Sequence, residues 1–396
     1  MIRTAVDTRS ALLSALLLLA TASCAGLDVP APTPCTPDFP YQDGWLGGDA
    51  AYSIPIGPGE SIWLFGDTFV GAPDQRTRQN TQLIHNSIGI ARCARGGAWQ
   101  IEYTWGEADG SARAFIDSGE EGVFWWLFDG FVYEEQLYIG LLGVEKSEPR
   151  GPLNLPFRYT GMKLARVENY REKPESWKIE ILPLSDSRVA FPGAMVVHAE
   201  HVYLFAFLDR NAEHHPRMLG RLPLTSLLAN DPSGQLEYLA GDETWRKGFD
   251  PDDALILMDD DASEMSVRYH DELGAWLAVY SFPNLTGRFP EVLPSDLVYV
   301  RTAKRLEGPW SEPQSIFRIP ELSESYAFGR DPNTFCYAAK EHPQYARKGR
   351  LLLTYVCNLF TPTGQDAWAV LARLAHKMYL YRPRAISIPF PELGLD

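Results

Sequence analysis

Asp49 and Asp67 are the residues of this sequence best suited to chemistry, because each is an acid that directly follows a glycine. Two carboxyl groups on either side of an acetal bond can hydrolyse it: one donates a proton to the leaving oxygen, and the other activates water or attacks the carbon. A neighbouring glycine lets a ligand approach the backbone closely. Either aspartate alone is explained as a turn residue, but the two motifs together predict a glycosidase-type pair.

Other acids allow a second arrangement. Asp129 and Glu264 stand before apolar segments that are typical of strands, as Asp49 does, so these three carboxyl groups could meet at one end of the fold. Such a cluster is costly unless a ligand, a cation or a shared proton relieves it, which makes it a candidate site. In this alternative Asp129 would tune the pKa of a catalytic neighbour. The sequence is compatible with both the pair and the trio.

Weaker candidates could bind substrate at the same place. They are imidazole, amide and indole side chains near the expected strand ends: His85, Asn86, His342, Asn333, Trp45 and Trp126. A histidine is more simply structural, and the tryptophans could equally pack in the core. The aspartates at 259–261 could bind calcium, but they lack the spacing of a calcium-binding loop, so no cofactor or metal is expected.

Strands must position these residues, since the chain consists of short apolar runs separated by Gly, Pro, Asp and Asn. One apolar strand recurs five times, at steps of 75, 65, 74 and 76 residues between Trp63, Tyr138, Tyr203, Leu277 and Leu353. One strand precedes each of these five recurring strands, and a strand ending in arginine follows it. Three repeats then carry a tryptophan at the start of an outer strand. Four strands per unit predict an all-β fold, a five-bladed β-propeller.

This fold would explain how the two aspartates meet. First strands of a propeller line a central channel and second strands return to the same rim, which would place Asp67 beside Asp49. The last unit is predicted to have a strand over 378–382, and 368–378 is the predicted helix. A sandwich or two stacked β-domains is the alternative, although neither requires a constant repeat.

The N-terminal segment has the shape of a secretory signal, with Arg3 and Arg9 followed by an apolar run at 11–20 that is too short to span a bilayer. Residues 1–23 are predicted to be removed, either by ordinary cleavage or at a lipobox that leaves a lipid on Cys24. Residues 24–42, rich in proline, are predicted to be a tether, and 43–390 the propeller. We expect a cell-envelope lipoprotein in the periplasm or on the outer surface, or a secreted protein, that meets a membrane only through this lipid.

The cysteine count favours the lipid site. Of five cysteines, Cys24 would carry the lipid, which leaves an even number for an oxidising compartment. The sequence predicts disulfides between Cys35 and Cys93 and between Cys336 and Cys357. The alternative is that these four are small buried hydrophobic residues.

Composition excludes several classes of function. The 396 residues have a net charge of −15, which argues against nucleic acid as a partner. The sequence contains no Gly-x-Ser-x-Gly, no phosphate-binding glycine loop, no His-Glu-x-x-His and no Cys-x-x-Cys, so serine hydrolase, nucleotide and thiolate-zinc chemistry lack support. We expect a monomer with a polysaccharide as its partner.

Several motifs resemble a known family: GGDAAYS at 47–53, IWLFGDTF at 62–69, HNSI at 85–88, AKEHP at 339–343 and YVCN at 355–358. They look like a bacterial five-bladed propeller family long described as a domain of unknown function and associated with endo-D-arabinanases of glycoside hydrolase family 183. The similarity covers about residues 43–390, and the two Gly-Asp motifs are its most specific part. The resemblance implies that Asp49 and Asp67 are the catalytic pair of an inverting hydrolase, with Asp67 as the acid and Asp49 as the base.

The predicted function is therefore an exported glycoside hydrolase that cleaves an arabinofuranose-containing or related polysaccharide. Insertions at 145–156, 209–216 and 240–260 would reshape its substrate groove. The alternative is a surface glycan-binding propeller without chemistry, in which the same acids and aromatic rings only hold the sugar.

Overall fold

The computed structural model describes residues 35–94, 96–150, 155–185, 190–208, 215–260, 262, 264–281, 296–361 and 365–393. The predicted signal segment 1–23, the predicted lipid site Cys24, the first part of the predicted tether and most of the 209–216 insertion lie outside the described residues. Within the described ranges, no helix combines the length and the apolar character needed to cross a membrane.

The first two sheets follow one another along the chain and are antiparallel. The first sheet contains β1 (Trp45–Gly57), β2 (Glu60–Val70), β3 (Gln82–Ile84), β4 (Ser87–Cys93) and β5 (Trp99–Thr104), in the order β1-β2-β4-β5 with β3 paired to β2. A hairpin of β6 (Gly106–Ala108) and β7 (Ser111–Arg113) leads to the second sheet, which contains β8 (Val123–Tyr133), β9 (Gln136–Arg150), β10 (Leu155–Val167) and β11 (Ile179–Ser185).

Three more sheets follow in the same manner. The third contains β12 (Ala190–His198), β13 (His201–Leu208), β14 (Arg217–Pro223), β15 (Glu237–Leu239) and β16 (Trp245–Lys247), with short helices α1 (Leu224–Leu228) and α2 (Pro232–Gln235) after β14. The fourth contains β17 (Met265–His270), β18 (Ala275–Ser281), β19 (Leu297–Ala303) and β20 (Gln314–Arg318). The fifth contains β21 (Thr334–Glu341), β22 (Arg350–Leu359) and β23 (Arg384–Pro389), with helix α3 (Ala367–His376) between the last two.

The first strands of the five sheets close a ring. β1 contacts β8, β8 contacts β12, β12 contacts β17, β17 contacts β21, and β21 contacts β1. Each sheet extends outward from this ring in chain order. The fold is therefore the predicted five-bladed β-propeller, and the first strands share one end at a common mouth.

Packing on both faces of each sheet explains the unbroken apolar runs in the sequence. All seven residues of β18 are buried, whereas a strand with one exposed face would alternate. Neighbouring sheets share their core: Ile54, Leu141 and Leu204, from three successive blades, belong to one cluster. Each sheet is therefore held in its place in the ring by the two neighbouring sheets that cover its faces.

The fifth blade differs from the prediction at its last strand. Residues 378–382, predicted as a strand, form turns in which Tyr381 has a φ of 53°, and β23 pairs with β22 instead. The predicted helix is α3, which is shifted slightly towards the N-terminus and capped by the Asp366 carboxylate, an acceptor for the Trp368 N–H at 3.0 Å. The strand prediction failed because an apolar, aromatic segment also suits a turn that packs on the mouth.

Both predicted disulfides are confirmed. Cys336–Cys357 links directly paired positions of β21 and β22, and Cys35–Cys93 ties the segment before the first blade to β4. The end of the predicted tether is therefore not free, and Phe39 is fully buried there. Two disulfides indicate an oxidising, extracytoplasmic compartment.

Candidate active site

Asp49 lies inside β1, not in the turn before it. The register of β1 on β2 shifts between Gly48 and Ala50 and again between Ala50 and Tyr52, and Ala50 has a φ of 61°. Such bulges re-aim side chains, because two residues on one strand oppose a single residue on the other. The Asp49 carboxylate therefore packs against Gly66, where an added β-carbon would lie 2.5 Å from Asp49 Oδ1.

Two tyrosines of the last blade donate hydrogen bonds to Asp49. The hydroxyls of Tyr337 and Tyr381 lie 2.7 and 3.2 Å from Asp49 Oδ2. Tyr337 stands in β21 beside a bulge, and Tyr381 stands in the turn before β23. Neither tyrosine has a motif that marks it in the sequence.

The surroundings of Asp49 keep its carboxyl protonated near neutral pH. Burial, helped by the charges of Asp67 and Glu264 and opposed by the two tyrosine hydroxyls, raises the pKa of Asp49 from 3.8 to about 8. A carboxyl with such a pKa can hold a proton at neutral pH and deliver it to a leaving group. Asp49 therefore has the electrostatic character of a proton donor.

Asp67 lies in β2 and completes the pair. Its Oδ1 accepts a hydrogen bond from Trp126 Nε1 at 2.8 Å and lies 3.1 Å from His85 Nδ1. The Asp67 side chain is 24% exposed, so a ligand in the mouth can reach it. The structure thus brings together four of the predicted residues: Asp49, Asp67, His85 and Trp126.

Two other predicted acids are buried and already paired. Asp129, 1% exposed, accepts the backbone N–H of Met195 at 3.0 Å and lies 3.5 Å from Arg268. Glu264, 7% exposed, accepts a hydrogen bond at 3.0 Å from Lys340, which is itself buried. These carboxylates are held by cations away from solvent, so their placement favours the pair that includes the accessible Asp67 over the trio.

Three predicted substrate-binding residues lie inside the protein. Trp45 is fully buried and stacks on Tyr103 with ring centroids 4.1 Å apart. The buried His342 has its Nδ1 at 2.6 Å from Ser53 Oγ. Asn86, also buried, donates from Nδ2 to backbone oxygens at 116 and 125. These side chains point into layers between blades rather than into the mouth, which corrects their predicted contact with substrate.

Asn333 and the aspartates at 259–261 also have internal partners. Asn333 is 4% exposed and donates from Nδ2 to Gln365 Oε1 at 3.0 Å. The buried Asp260 lies 2.7 and 3.0 Å from guanidinium nitrogens of Arg301, while position 261 lies outside the described residues. In the part of the chain that the structure describes, no group of three or more His, Cys, Asp or Glu is arranged to hold a metal ion.

Arg78 holds the turn that carries Tyr381. Its buried guanidinium donates to the backbone oxygens of Leu46 in β1 at 2.7 Å, of Leu374 in α3 at 3.1 Å and of Leu380 at 2.6 Å. Several bonds from one planar cation fix orientation as well as distance. Arg78 therefore joins the first and last blades beside the carboxyl pair, although no pattern in the sequence indicated it.

A pocket of about 270 Å³ opens between the first two blades, and it is lined by His85, which contacts Asp67. Its walls include the rings of His85 and Phe124, which stack with centroids 3.6 Å apart, and the cations Arg113 and Lys146. Aromatic walls with a few polar groups are typical of sites for small ligands. This pocket extends the site from the carboxyl pair towards the β6–β7 hairpin.

The closed ring of blades makes this a five-bladed β-propeller protein with an acidic pair at its mouth. More particularly, the chain belongs to the family described as "Domain of unknown function (DUF5005)", which matches residues 39–388. The resemblance of the motifs to a bacterial propeller family of unknown function is thereby confirmed. No functionally curated protein matches the chain.

Solved structures are similar to this chain at low sequence identity, and the first of the following shares its fold. A Bacteroides ovatus protein provisionally called a hydrolase is 18% identical, with a TM-score of 0.66 over 89% of this chain and 88% of its own. A GH43_1 enzyme from Xanthomonas citri is 12% identical, with a TM-score of 0.43 over 89% of this chain and 90% of its own. A xylan β-1,4-xylosidase from Bacillus halodurans is 10% identical, with a TM-score of 0.44 over 82% of this chain and 51% of its own.

Proposed function

We propose that this protein is a glycoside hydrolase that uses Asp49 and Asp67 to cleave a polysaccharide. One observation carries the proposal: a carboxyl whose pKa is raised to about 8 faces a second, accessible carboxyl at the mouth of the propeller. Two neighbouring carboxyl groups in different environments are what acid and base roles in glycoside hydrolysis require.

In the proposed reaction the Asp49 carboxyl gives its proton to the glycosidic oxygen as the bond from the anomeric carbon to that oxygen breaks. The Asp67 carboxylate takes a proton from a water molecule as the water oxygen bonds to the same carbon, which inverts its configuration. Trp126 and His85 orient Asp67 for this step. These roles are the reverse of those implied by the family resemblance, and the raised pKa of Asp49 is the reason for the exchange.

The proposed substrate is an arabinofuranose-containing or related polysaccharide, with D-arabinan first, because the motifs resemble those of endo-D-arabinanases. The two disulfides are consistent with action outside the cytoplasm. Lipid attachment at Cys24 would keep the protein at the cell envelope.

The experiment is hydrolysis of D-arabinan, L-arabinan, xylan and β-1,3-galactan by the purified protein, measured as new reducing ends. Asp49→Asn and Asp67→Asn should each lower the rate by several orders of magnitude, whereas Asp74→Asn, an exposed aspartate in the loop after β2, serves as the matched control. The configuration of the first product, read by NMR, tests inversion. Binding of a polysaccharide without any new reducing ends would replace this proposal with the glycan-binding alternative.

A further inference from the structure

An ordered aromatic platform, formed by Tyr326, Phe328 and Tyr379, lies on the surface. The Phe328 ring is stacked on Tyr379 with centroids 5.1 Å apart and planes at 15°, and Tyr326 meets Phe328 edge-on at 5.7 Å. Phe328 is nevertheless 65% exposed. A phenylalanine is usually buried, so an exposed aromatic group of this kind marks a binding surface when its geometry is fixed.

Hydrogen bonds fix the platform. The Gly329 N–H donates to the backbone oxygen of Tyr326 at 2.8 Å, which closes a tight turn around Phe328. The Tyr379 hydroxyl donates to the Gly329 oxygen at 3.0 Å, and the Tyr326 hydroxyl donates to the buried Glu321 at 3.3 Å. The Phe328 ring is therefore already ordered in the free protein. It loses little conformational freedom when a ligand binds.

The platform lies beside the candidate active site. Tyr379 belongs to the same turn as Tyr381, whose hydroxyl contacts Asp49 at 3.2 Å. The backbone positions of the two tyrosines are two residues apart in the chain, which is at most about 7 Å. The loop that holds Phe328 leads directly into β21, whose first residue, Thr334, pairs with Leu359 at the mouth end of the blade. A chain bound across the mouth would therefore pass over the platform.

Charged groups surround the aromatic rings. Arg330 pairs with Glu324 at 2.5 Å, and the Lys377 ammonium is 5.7 Å from the Tyr379 ring centroid. A sugar ring matches such a surface, because its C–H groups pack on the partly negative face of an aromatic ring while its hydroxyls meet polar neighbours. A contact with a second protein copy would need a much larger area, of the order of 800 Å² on each side.

We propose that the aromatic platform binds a sugar unit of the polysaccharide away from the bond that is cleaved. This inference rests on the proposed function, and it adds a second holding point to the carboxyl pair. It favours long chains as substrates, since only a chain that extends from the carboxyl pair onto Phe328 uses both holding points.

The test compares Phe328→Ala with the wild type on the polysaccharide that is cleaved and on a short oligosaccharide of the same linkage. We expect kcat/KM on the polymer to fall about fivefold, mainly through KM, with no change on the oligosaccharide. Phe328→Trp should restore the polymer rate. Tyr269→Ala is the matched control, because Tyr269 is 49% exposed near the opposite end of the blades from the mouth.

Retention in gels containing D-arabinan, L-arabinan, xylan or β-1,3-galactan separates this inference from the proposed function. Weaker retention of Phe328→Ala with no cleavage by the wild type would support the platform and overturn the hydrolase. Cleavage with equal kinetics for both proteins on the polymer would overturn the platform alone. Failure of the wild type to bind or cleave any of the four would overturn both, and a change in oligomeric state on Phe328→Ala, measured by light scattering, would assign the rings to a protein contact instead.

Discussion

The Asp49 carboxylate occupies the space that a side chain at position 66 would need, since a β-carbon on Gly66 would lie 2.5 Å from Asp49 Oδ1. Only glycine allows this approach. The glycine of the second Gly-Asp motif therefore makes room for the acid of the first, which gives a physical reason for both motifs to occur in one hairpin.

Gly66→Ala should displace Asp49 and lower kcat by about 100-fold, because misplacement of a reacting group by about 1 Å costs that much. The matched control is Gly57→Ala in the same hairpin, where the added β-carbon would have its nearest neighbour at 3.6 Å. Steady-state rates on the cleaved polysaccharide measure both. Equal activity of the two variants would show that the contact between Gly66 and Asp49 does not position the acid.

Tyr337→Phe should move the alkaline limb of the pH profile upward. The Tyr337 hydroxyl lowers the pKa of Asp49, so its removal raises that pKa above the wild-type value of about 8. A proton donor loses activity as pH rises through its pKa, and kcat/KM measured over a pH series locates that limb. Tyr269→Phe, on a distant surface, provides the control. A limb that moves downward would contradict Asp49 as the acid.

Asp49→Asn should be inactive yet more stable than the wild type. The pKa of Asp49 is higher in the folded protein than the ordinary value of 3.8, so the folded state binds the extra proton and loses stability as pH rises from about 4 to about 8. Asparagine does not titrate. The gain in Tm should therefore be small near about pH 4 and largest above about pH 8. Thermal unfolding at several pH values, with Asp74→Asn as reference, provides the measurement. A gain that shrinks with rising pH would refute the assigned direction of the pKa shift.

Arg78→Lys should weaken both the fold and the site. A lysine ammonium cannot replace the guanidinium bonds to the carbonyls of Leu46, Leu374 and Leu380 at once, and each buried carbonyl left without a donor costs about 1–3 kcal/mol. We expect the free energy of unfolding in urea to fall by about 2–4 kcal/mol, together with a loss of activity as Tyr381 moves. Arg76→Lys is the control, since Arg76 is exposed and donates to the neighbouring Gln75 oxygen. Matching stabilities for the two variants would exclude the role given to Arg78.

The repeats predicted the fold because each second strand is buried on both faces and therefore reads as an unbroken apolar run, as around Trp63 and Leu277. The pair of Asp49 and Asp67 could be predicted because both acids stand in one hairpin, where local spacing determines proximity. Tyr337 could not be predicted in this way, since 288 residues separate it from Asp49 and only closure of the ring brings them together.

The sequence also could not show which of the predicted substrate-binding residues would be buried, and the reason is again structural. Adjacent residues of a strand face opposite sides, so a bulge that shifts the register by one residue exchanges the two faces. The register of β1 shifts between Trp45 and Gly48, and composition does not indicate on which side of that shift an indole will lie. Trp126 faces Asp67, whereas Trp45 lies in the core.

The joining of the first and last blades has a consequence for when the protein can act. Tyr337 and Tyr381 follow Asp49 in the chain by 288 and 332 residues, so they are translated after it. A nascent polypeptide that lacks the fifth blade cannot assemble the acid with its two hydroxyl donors. Biosynthesis itself therefore delays the proposed activity until the fifth blade has been synthesised.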